Sequence, residues 1–99
     1  MPDFKWDPAK EAINVRKHGF DFTTASQIWR GSVAERIDHR SDYGETRIIA
    51  VGQVDDSILV VVFTWRGETR RIISARKANS RERALFEEEN ARRDKAPPD

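Results

Sequence analysis

The sequence contains no cysteine, which excludes disulfide bonds and thiolate metal sites. Its only histidines are His18 and His39, and two histidines without a cluster of carboxylates make a poor metal site. P-loop, dinucleotide-binding and nucleophile-elbow motifs are also missing, so no cofactor is expected. The longest aliphatic and aromatic run, Ile58–Phe63, is far shorter than the roughly 20 residues of a membrane span, and the N-terminus lacks an apolar signal core. We therefore expect a soluble, intracellular protein of the cytoplasm.

Charge is nearly balanced overall, with 18 Lys and Arg against 17 Asp and Glu, but it is segregated along the chain. Six carboxylates lie between Glu35 and Asp56, whereas the stretch from Arg66 to Arg83 carries seven cations and two carboxylates. Arginine presents a planar fork of donors that matches phosphate oxygens, so this stretch is a candidate phosphate-binding surface. The alternative is a solvated strand and helix whose cations pair with carboxylates elsewhere in the chain.

The length of 99 residues predicts one domain over residues 1–95, followed by a disordered tail, 96–99. Capping residues and apolar periodicity predict an α+β fold with two N-terminal helices, an antiparallel β-meander of three to four strands and a C-terminal helix. The first helix starts at Asp7-Pro8 and ends at His18, before Gly19. The later elements are a short helix Thr23–Trp29, an edge strand Val33–Ile37, strands Thr46–Val54, Ile58–Trp65 and Glu68–Ala78, and a helix Asn79–Lys95 with a capping box from Asn79 to Glu82.

The turn before the last strand decides which side chains share a face. A two-residue hairpin loop at Arg66-Gly67 predicts two cross-strand pairs, Val61 with Ile72 and Leu59 with Ser74. One face of the last strand then carries Arg70, Ile72, Ser74 and Arg76. The other face meets the apolar side chains of the central strand and packs better on helices; it carries Arg71, Ile73, Ala75 and Lys77. A register slip of one residue would exchange the two faces.

Arg76 is the first candidate for chemistry, as a guanidinium that clamps a phosphate in its transition state. Its alternative is a structural ion pair with a carboxylate of the acidic segment. His18 and His39 are further candidates, because histidine is the side-chain type whose unperturbed pKa suits proton transfer near neutrality. His18 closes the first helix beside Lys17, where a cation also stabilises the helix dipole, and His39 lies in a polar loop that favours plain exposure. The three tryptophans have two alternative roles, stacking on bases or anchoring the core. They are Trp6, Trp29 and Trp65.

Two ordered blocks carry a resemblance to a known family. Residues 4–25 contain the pattern W-D-x-x-K-x-x-x-N-x-x-K-H-G-x-x-F, and residues 70–88 contain R-I-I-S-A-R leading into an Arg- and Glu-rich helix. In both blocks the chain resembles the BrnT family of bacterial toxins. The resemblance implies a RelE-like α+β fold and an endoribonuclease that stops translation by cleaving free or ribosome-associated RNA without a metal. It also implies a BrnA-like antitoxin whose ribbon-helix-helix part binds operator DNA.

The resemblance also implies site residues. Its motif positions fall on Lys10, Asn14, Lys17, His18, Arg70, Ser74, Arg76 and Lys77. We expect catalysis by Arg76, His18 and Lys17, and RNA binding by Arg70, Arg71, Lys77 and Lys10. An acidic partner segment is expected on the Arg70–Arg83 region, with Arg81 and Arg83 in contact. Related toxins often use a tyrosine, but here the last helix has Phe86 and the only tyrosine is Tyr43. The alternative function is a non-enzymatic module that forms half of a DNA-binding repressor complex.

Overall fold

The computed structural model describes residues 3–40, 42 and 44–94, with the backbone alone for residues 93 and 94. The α+β class is confirmed. The elements in chain order are β1 Phe4–Lys5, α1 Pro8–His18, α2 Phe22–Ser26, a 3₁₀ helix Gln27–Arg30, β2 Val33–Ile37, β3 Ile48–Val54, β4 Ser57–Arg66, β5 Thr69–Lys77 and α3 Ser80–Asp94. The predicted tail, Lys95 at the predicted end of the last helix, and Tyr43 lie outside the described residues. Within the described ranges, the helices are too short or too polar to cross a membrane.

The sheet has five strands in the order β1-β5-β4-β3-β2. Strands β2 to β5 are antiparallel neighbours and correspond to the expected meander, with β4 in the middle of the sheet. The strand β1 is an addition that the sequence did not predict: it pairs parallel to β5, with Phe4 opposite Arg70 and Lys5 opposite Arg71. The apolar β4 is buried from Ile58 to Thr64, as the continuous run of β-branched residues requires.

Capping chemistry sets the bounds of α1, as predicted. Asp7 accepts a hydrogen bond from the Ala9 amide at 2.9 Å, and Pro8 occupies the first turn, where its missing amide costs nothing. The helix ends at Gly19, whose φ of 81° is left-handed and whose amide donates to the carbonyl of Val15 at 2.8 Å.

The second helix is shorter than the predicted Thr23–Trp29. Asp21 caps it by accepting from the Thr24 amide at 2.7 Å, but the α-helix ends at Ser26 and tightens into the 3₁₀ helix. The cause is local: the Ser26 hydroxyl donates to the Thr23 carbonyl at 2.6 Å, and the Gln27 amide donates to the Thr24 carbonyl instead.

The predicted register of β4 and β5 is wrong. The hairpin loop is Gly67-Glu68, one residue later than expected, and Gly67 has the positive φ of 62° that such a turn needs. A β-bulge at Ile73 then adds a further residue to β5. The actual partners of Val61, Val62, Phe63 and Leu59 are Ala75, Ser74, Ile72 and Lys77 respectively.

The bulge splits the face that the sequence assigned to Arg70, Ile72, Ser74 and Arg76. Ile72 belongs to the core under α2, whereas Ser74 and Arg76 lie opposite Val62 and Val60, which belong to the core under α3. Cross-strand partners share a face, so Arg70 and Ile72 point to one side of the sheet and Ser74 and Arg76 to the other. The predicted register contained no bulge, and one inserted residue is enough to exchange the faces beyond it.

The two faces of the sheet bury separate cores. The first, which we call the α2 face, packs Phe22, Ala25 and Ile28 against β3, β4 and β5. The second core lies on the other face, which we call the α3 face. It contains Phe86 from α3, Ala78, and the residues of β3 and β4 that point to this face. Gly52 on β3 makes the α2 face close-packed, because a Cβ at this position would lie 2.6 Å from the Cβ of Ile28.

Candidate functional site

Arg76 is held by a carboxylate from α3. Its two terminal nitrogens each donate to one oxygen of Glu82 at 2.7 Å, which is a bidentate pair. The ion-pair alternative for Arg76 is thereby found, but its partner comes from the C-terminal helix. The prediction that this partner belongs to the acidic segment, residues 35–56, is wrong.

Glu82 serves two purposes at once. Its carboxylate also accepts from the Asn79 amide at 2.9 Å, while the Glu82 amide donates to the Asn79 side chain at 2.8 Å. This reciprocal pair is the predicted capping box. The strand end that carries Arg76 and the start of α3 are therefore fixed by one carboxylate.

The pair is fully charged near neutrality. Hydrogen bonding from Arg76 lowers the pKa of Glu82 to about 2, and the same bond raises the pKa of Arg76. The Arg76 side chain is nevertheless 39% exposed. Arginine has five N–H donors, so the guanidinium keeps donors for a second anion while Glu82 fixes its orientation.

Asn14 joins α1 to the edge of β5. Its amide nitrogen donates to the carbonyls of Ala75 at 2.8 Å and Phe20 at 2.9 Å, and its oxygen accepts from the Ala75 amide at 3.0 Å. Among the described residues, β1 covers this edge of β5 only at Arg70 and Arg71. Asn14 thus pairs with both backbone groups of Ala75 as a neighbouring strand would, and it does so at a buried position.

The contacts of Asn14 settle a question that the sequence left open, namely whether α1 and β5 are adjacent. Lys10 is exposed one helical turn before Asn14, and Lys17 is exposed in the turn after it, next to a half-buried His18. Lys77 is exposed at the end of β5 and lies opposite Leu59, on the α2 face. Asn14 therefore holds α1 at the edge of β5 beside Ala75, two residues before Lys77.

Arg76 and Arg71 lie on the other side. Arg76 neighbours Lys77 in sequence but points to the α3 face, and Arg71, opposite Thr64, lies toward the far end of β5. Five residues of strand separate Arg71 from Arg76, a distance of about 16 Å. The structure thus places Arg76 and Lys77 at the end of β5 that follows Ala75, the residue bound by Asn14 of α1, and it places Arg71 away from them.

Arg70 lies in an aromatic cluster on the α2 face. Its guanidinium carbon is 4.6 Å from the ring centres of Trp29 and Trp65, 5.5 Å from that of Phe63 and 5.8 Å from that of Phe4. Burial lowers the pKa of Arg70, while the charge of Glu35 raises it. The Nε atom is buried without a hydrogen-bond partner among the described residues. The structure therefore separates Arg70 from Arg76 by both the face and the length of the strand.

A cleft of about 320 Å³ opens beside Arg70. We call it the Arg70 cleft; its lining residues are Phe4, Thr23, Ser26, Gln27, Trp29, Arg30 and Arg70. None of these described lining residues is acidic. Sequence patterns do not indicate Thr23, Gln27 or Arg30 as site residues, since they become neighbours of Arg70 only through the 3₁₀ helix and the pairing of β1 with β5.

A second groove, of about 230 Å³, lies between α3 and strands β2 and β3. Its apolar floor includes Ile49, Val51 and Phe86, and its rim carries Arg36 with Glu35, Glu82 and Glu89. This rim is mainly acidic, in contrast to the Arg70 cleft.

The loop after β2 contains the second histidine. His39 is exposed, as expected, and follows the buried Asp38. Asp38 accepts from the backbone and from the guanidinium of Arg40, and its amide donates to the Arg47 carbonyl at 2.8 Å. The sequence did not single out Asp38, whose role in the described loop is to hold the backbone.

A comparison with known families finds a match over most of the chain. The family model described as ribonuclease toxin, BrnT, of type II toxin-antitoxin system matches residues 6–82. The matched segment begins before α1 and ends at Glu82, and it therefore includes Asn14, His18 and Arg76. A comparison with curated proteins finds no match.

Proposed function

Because the chain belongs to the family of BrnT ribonuclease toxins of type II toxin-antitoxin systems, we propose that it is a metal-independent endoribonuclease that stops translation in the cytoplasm. The observation that carries the proposal is the pairing of Asn14 with Ala75. This pairing supports the proposal because it holds the basic helix α1 at Ala75, the residue that precedes Arg76 in the basic strand β5.

Cleavage of RNA without a metal requires a base for the 2′-hydroxyl, cations at the pentavalent phosphate and an acid for the leaving 5′-oxygen. We assign proton transfer to His18, which is half-buried and belongs to the side-chain type most often used as a general acid or base. Lys17 and Arg76 supply the positive charge. Glu82 fixes the Arg76 fork, and the donors that remain on the guanidinium face the phosphate.

Further basic residues extend the proposed contact with RNA beyond the cleavage position. These RNA-binding residues are Lys10, Arg70, Arg71 and Lys77. Lys10 is exposed on α1 and Lys77 is exposed at the end of β5 on the α2 face, whereas Arg71 lies on the α3 face. We further propose that residues 1–95 form one domain of RelE-like fold.

The partner of such a toxin is an antitoxin, which we propose to be BrnA-like, with a ribbon-helix-helix part that binds operator DNA. An acidic segment of this partner folds on the Arg70–Arg83 region and contacts Arg81 and Arg83, which are exposed at the start of α3. This arrangement occupies the strand end that would otherwise meet phosphate.

One observation favours the second candidate function, a non-enzymatic module within a repressor complex. Two donors of Arg76 are already used by Glu82, as in a purely structural ion pair. In that case Arg76 stabilises the start of α3 and the complex acts on DNA alone.

Induced expression, alone and together with the neighbouring short reading frame, tests the proposal. We expect growth arrest and RNA fragments from the chain alone, and neither when the partner is present. Arg76→Ala should relieve the arrest, and His18→Ala should slow cleavage by roughly 10²- to 10⁴-fold without abolishing it.

The matched control is Arg92→Ala, because it also removes the arginine of an Arg–Glu pair at 2.7 Å, but on the exposed part of α3. It should leave the arrest intact. Arg76→Ala protein that melts cooperatively and remains fully toxic would overturn the catalytic assignment, and Arg76→Ala protein that fails to fold would favour the structural alternative.

A further inference from the structure

The Arg70 cleft has the chemistry of an anion site. Its polar lining combines two guanidinium groups, Arg30 and Arg70, with the side chains of Thr23, Ser26 and Gln27. Arg30 is exposed at the end of the 3₁₀ helix, whereas Arg70 is half-buried. No carboxylate is among the described residues that line the cleft. The charge of Glu35, whose carboxylate accepts from the Trp29 indole at 2.9 Å, acts on Arg70 without a hydrogen bond to it, so guanidinium donors remain for an anion in the cleft.

Arg70 differs from Arg76 in how its charge is compensated. The Arg76 charge meets a carboxylate at 2.7 Å, but no hydrogen bond or ion pair engages the Arg70 side chain among the described residues, and its Nε is buried without a partner. Aromatic faces attract a cation but accept no hydrogen bond in the plane of the guanidinium. Because the Nε atom is itself buried, the terminal N–H groups of Arg70 are the donors available to oxygen atoms that enter the cleft.

The same cluster presents a surface for a base. Trp65 is 40% exposed although its ring packs edge-on against Phe63 at 5.6 Å and lies 4.6 Å from the Arg70 guanidinium. An exposed indole fixed in this way is a stacking platform that accepts any base. One nucleotide is long enough to place its phosphate at the Arg70 guanidinium and its base on the Trp65 ring.

We propose that the Arg70 cleft binds one nucleotide of a single-stranded RNA, with its phosphate between Arg30 and Arg70 and its base on the exposed face of Trp65. The site lies on the α2 face, at the end of β5 opposite to Arg76, so it positions the strand and takes no part in bond cleavage. The inference rests on the proposed ribonuclease function for the identity of the ligand as RNA.

Binding of a fluorescein-labelled 2′-O-methyl hexanucleotide, followed by anisotropy at several salt concentrations, tests this subsite. The 2′-O-methyl groups prevent cleavage through the 2′-hydroxyl, so binding is measured separately from catalysis. Arg30→Glu should weaken binding at least 10-fold and reduce the slope of log affinity against log salt by about 0.7, the contribution of one single-strand phosphate contact. Trp65→Ala should weaken binding by roughly 10-fold with an unchanged salt slope, because stacking carries no charge.

The matched control is Arg92→Glu, which makes the same charge reversal on an exposed arginine of α3 and should change affinity less than 2-fold. Folding of each variant is checked by its melting transition, and Arg30→Ala replaces Arg30→Glu if the reversal unfolds the chain. A folded Arg30 variant with the affinity and the salt slope of the wild type would overturn the proposed subsite. The ribonuclease proposal would still stand. If the chain binds the oligonucleotide through Arg30 but cleaves no RNA, the proposed subsite stands and the ribonuclease proposal is overturned.

Discussion

Arg70 and Arg76 lie on one strand, but the protein accommodates their charges in opposite ways. Arg70 is surrounded by four aromatic rings on the α2 face, and burial lowers its pKa. Arg76 is bound by Glu82 on the α3 face, and this hydrogen bond raises its pKa. The bulge at Ile73 causes the difference, because it directs the two side chains to opposite faces. A basic strand is therefore not one phosphate-binding surface, since each cation takes its chemistry from the face on which it lies.

The two faces also differ in what holds them together. On the α2 face, Phe22, Ala25 and Ile28 are fully buried, and Trp6 meets the Phe22 ring edge-on at 6.0 Å. On the α3 face, Phe86 is the buried side chain that α3 inserts, while the neighbouring Leu85 is 58% exposed. Most of the hydrophobic stabilisation hence belongs to the α2 face, and α3 is the element that is easiest to displace.

The largest expected effect separates the two cores. Phe22→Ala should lower the free energy of unfolding by about 3–5 kcal/mol, because the fully enclosed site cannot collapse around the missing ring. Phe86→Ala should cost about 1–3 kcal/mol, since α3 can shift toward the sheet. Urea unfolding followed by tryptophan fluorescence measures both values. Equal losses, or a larger loss for Phe86→Ala, would contradict the assignment of the main core to the α2 face.

The next effect concerns the edge of β5. Asn14→Ala removes three hydrogen bonds and leaves the amide and carbonyl of Ala75 buried without partners, which should cost about 2–4 kcal/mol. Hydrogen exchange at the Ala75 amide should accelerate in parallel. Ile13→Ala is the control, because this neighbouring side chain is 56% exposed and should cost less than about 0.5 kcal/mol. An Asn14→Ala protein as stable as the control would show that α1 is held by other contacts.

Acid should act on the α3 face through Glu82. The pKa of Glu82 is about 2 in the folded chain and 4.5 in its ordinary state, so its stabilising effect is complete above about pH 5 and is lost as the pH falls toward 2. We expect a loss on the order of 1 kcal/mol for this partly exposed pair.

Glu82→Gln should flatten that part of the stability profile between pH 5 and pH 2, as measured by urea unfolding at each pH. Asp21, which caps α2, also has a lowered pKa because of its bonds from Thr24, so a remaining slope is expected. A Glu82→Gln profile with the full wild-type slope would show that the Arg76 pair contributes nothing to acid sensitivity.

Local chemistry made much of the fold predictable. The bounds of α1 follow from Asp7, Pro8 and Gly19, and the start of α3 follows from the capping box of Asn79 and Glu82, because each of these signals acts within a few residues. Strands β2 to β5 were predicted to within about two residues, because β-branched and apolar residues bounded by turns mark each of them.

The candidate site was less predictable because it depends on contacts between distant segments. The bulge at Ile73 has no signal in the apolar pattern, and it decided the faces of Arg70 and Arg76. The parallel strand β1 brings Phe4 beside Arg70, although 66 positions separate them in the chain. Asn14 was indicated only as a motif position, and its function as a substitute strand partner emerges once α1 lies against β5.

The smallest expected effect concerns the partner, and it tests which flank of α3 the partner covers. Arg81 and Arg83 are both exposed, but two residues correspond to about 200° around a helix, so they project from different flanks. The flank that contains Glu82 and Glu89 faces the mainly acidic groove beside β2 and β3, where an acidic segment would be repelled. Arg83 lies toward the other flank, and we therefore expect Arg83→Glu to weaken the complex more than Arg81→Glu.

Each reversal should reduce the association rate several-fold at low salt, with less effect as the screening length falls to ~8 Å at physiological ionic strength. Lys5→Glu, a reversal at an exposed residue of β1, is the control and should change the rate less than either. Stopped-flow association of the purified chain with its antitoxin, at several salt concentrations, gives these rates. If neither arginine reversal lowers the association rate more than Lys5→Glu, the antitoxin does not lie on α3. The antitoxin would then have to inhibit the toxin by displacing an element of the fold.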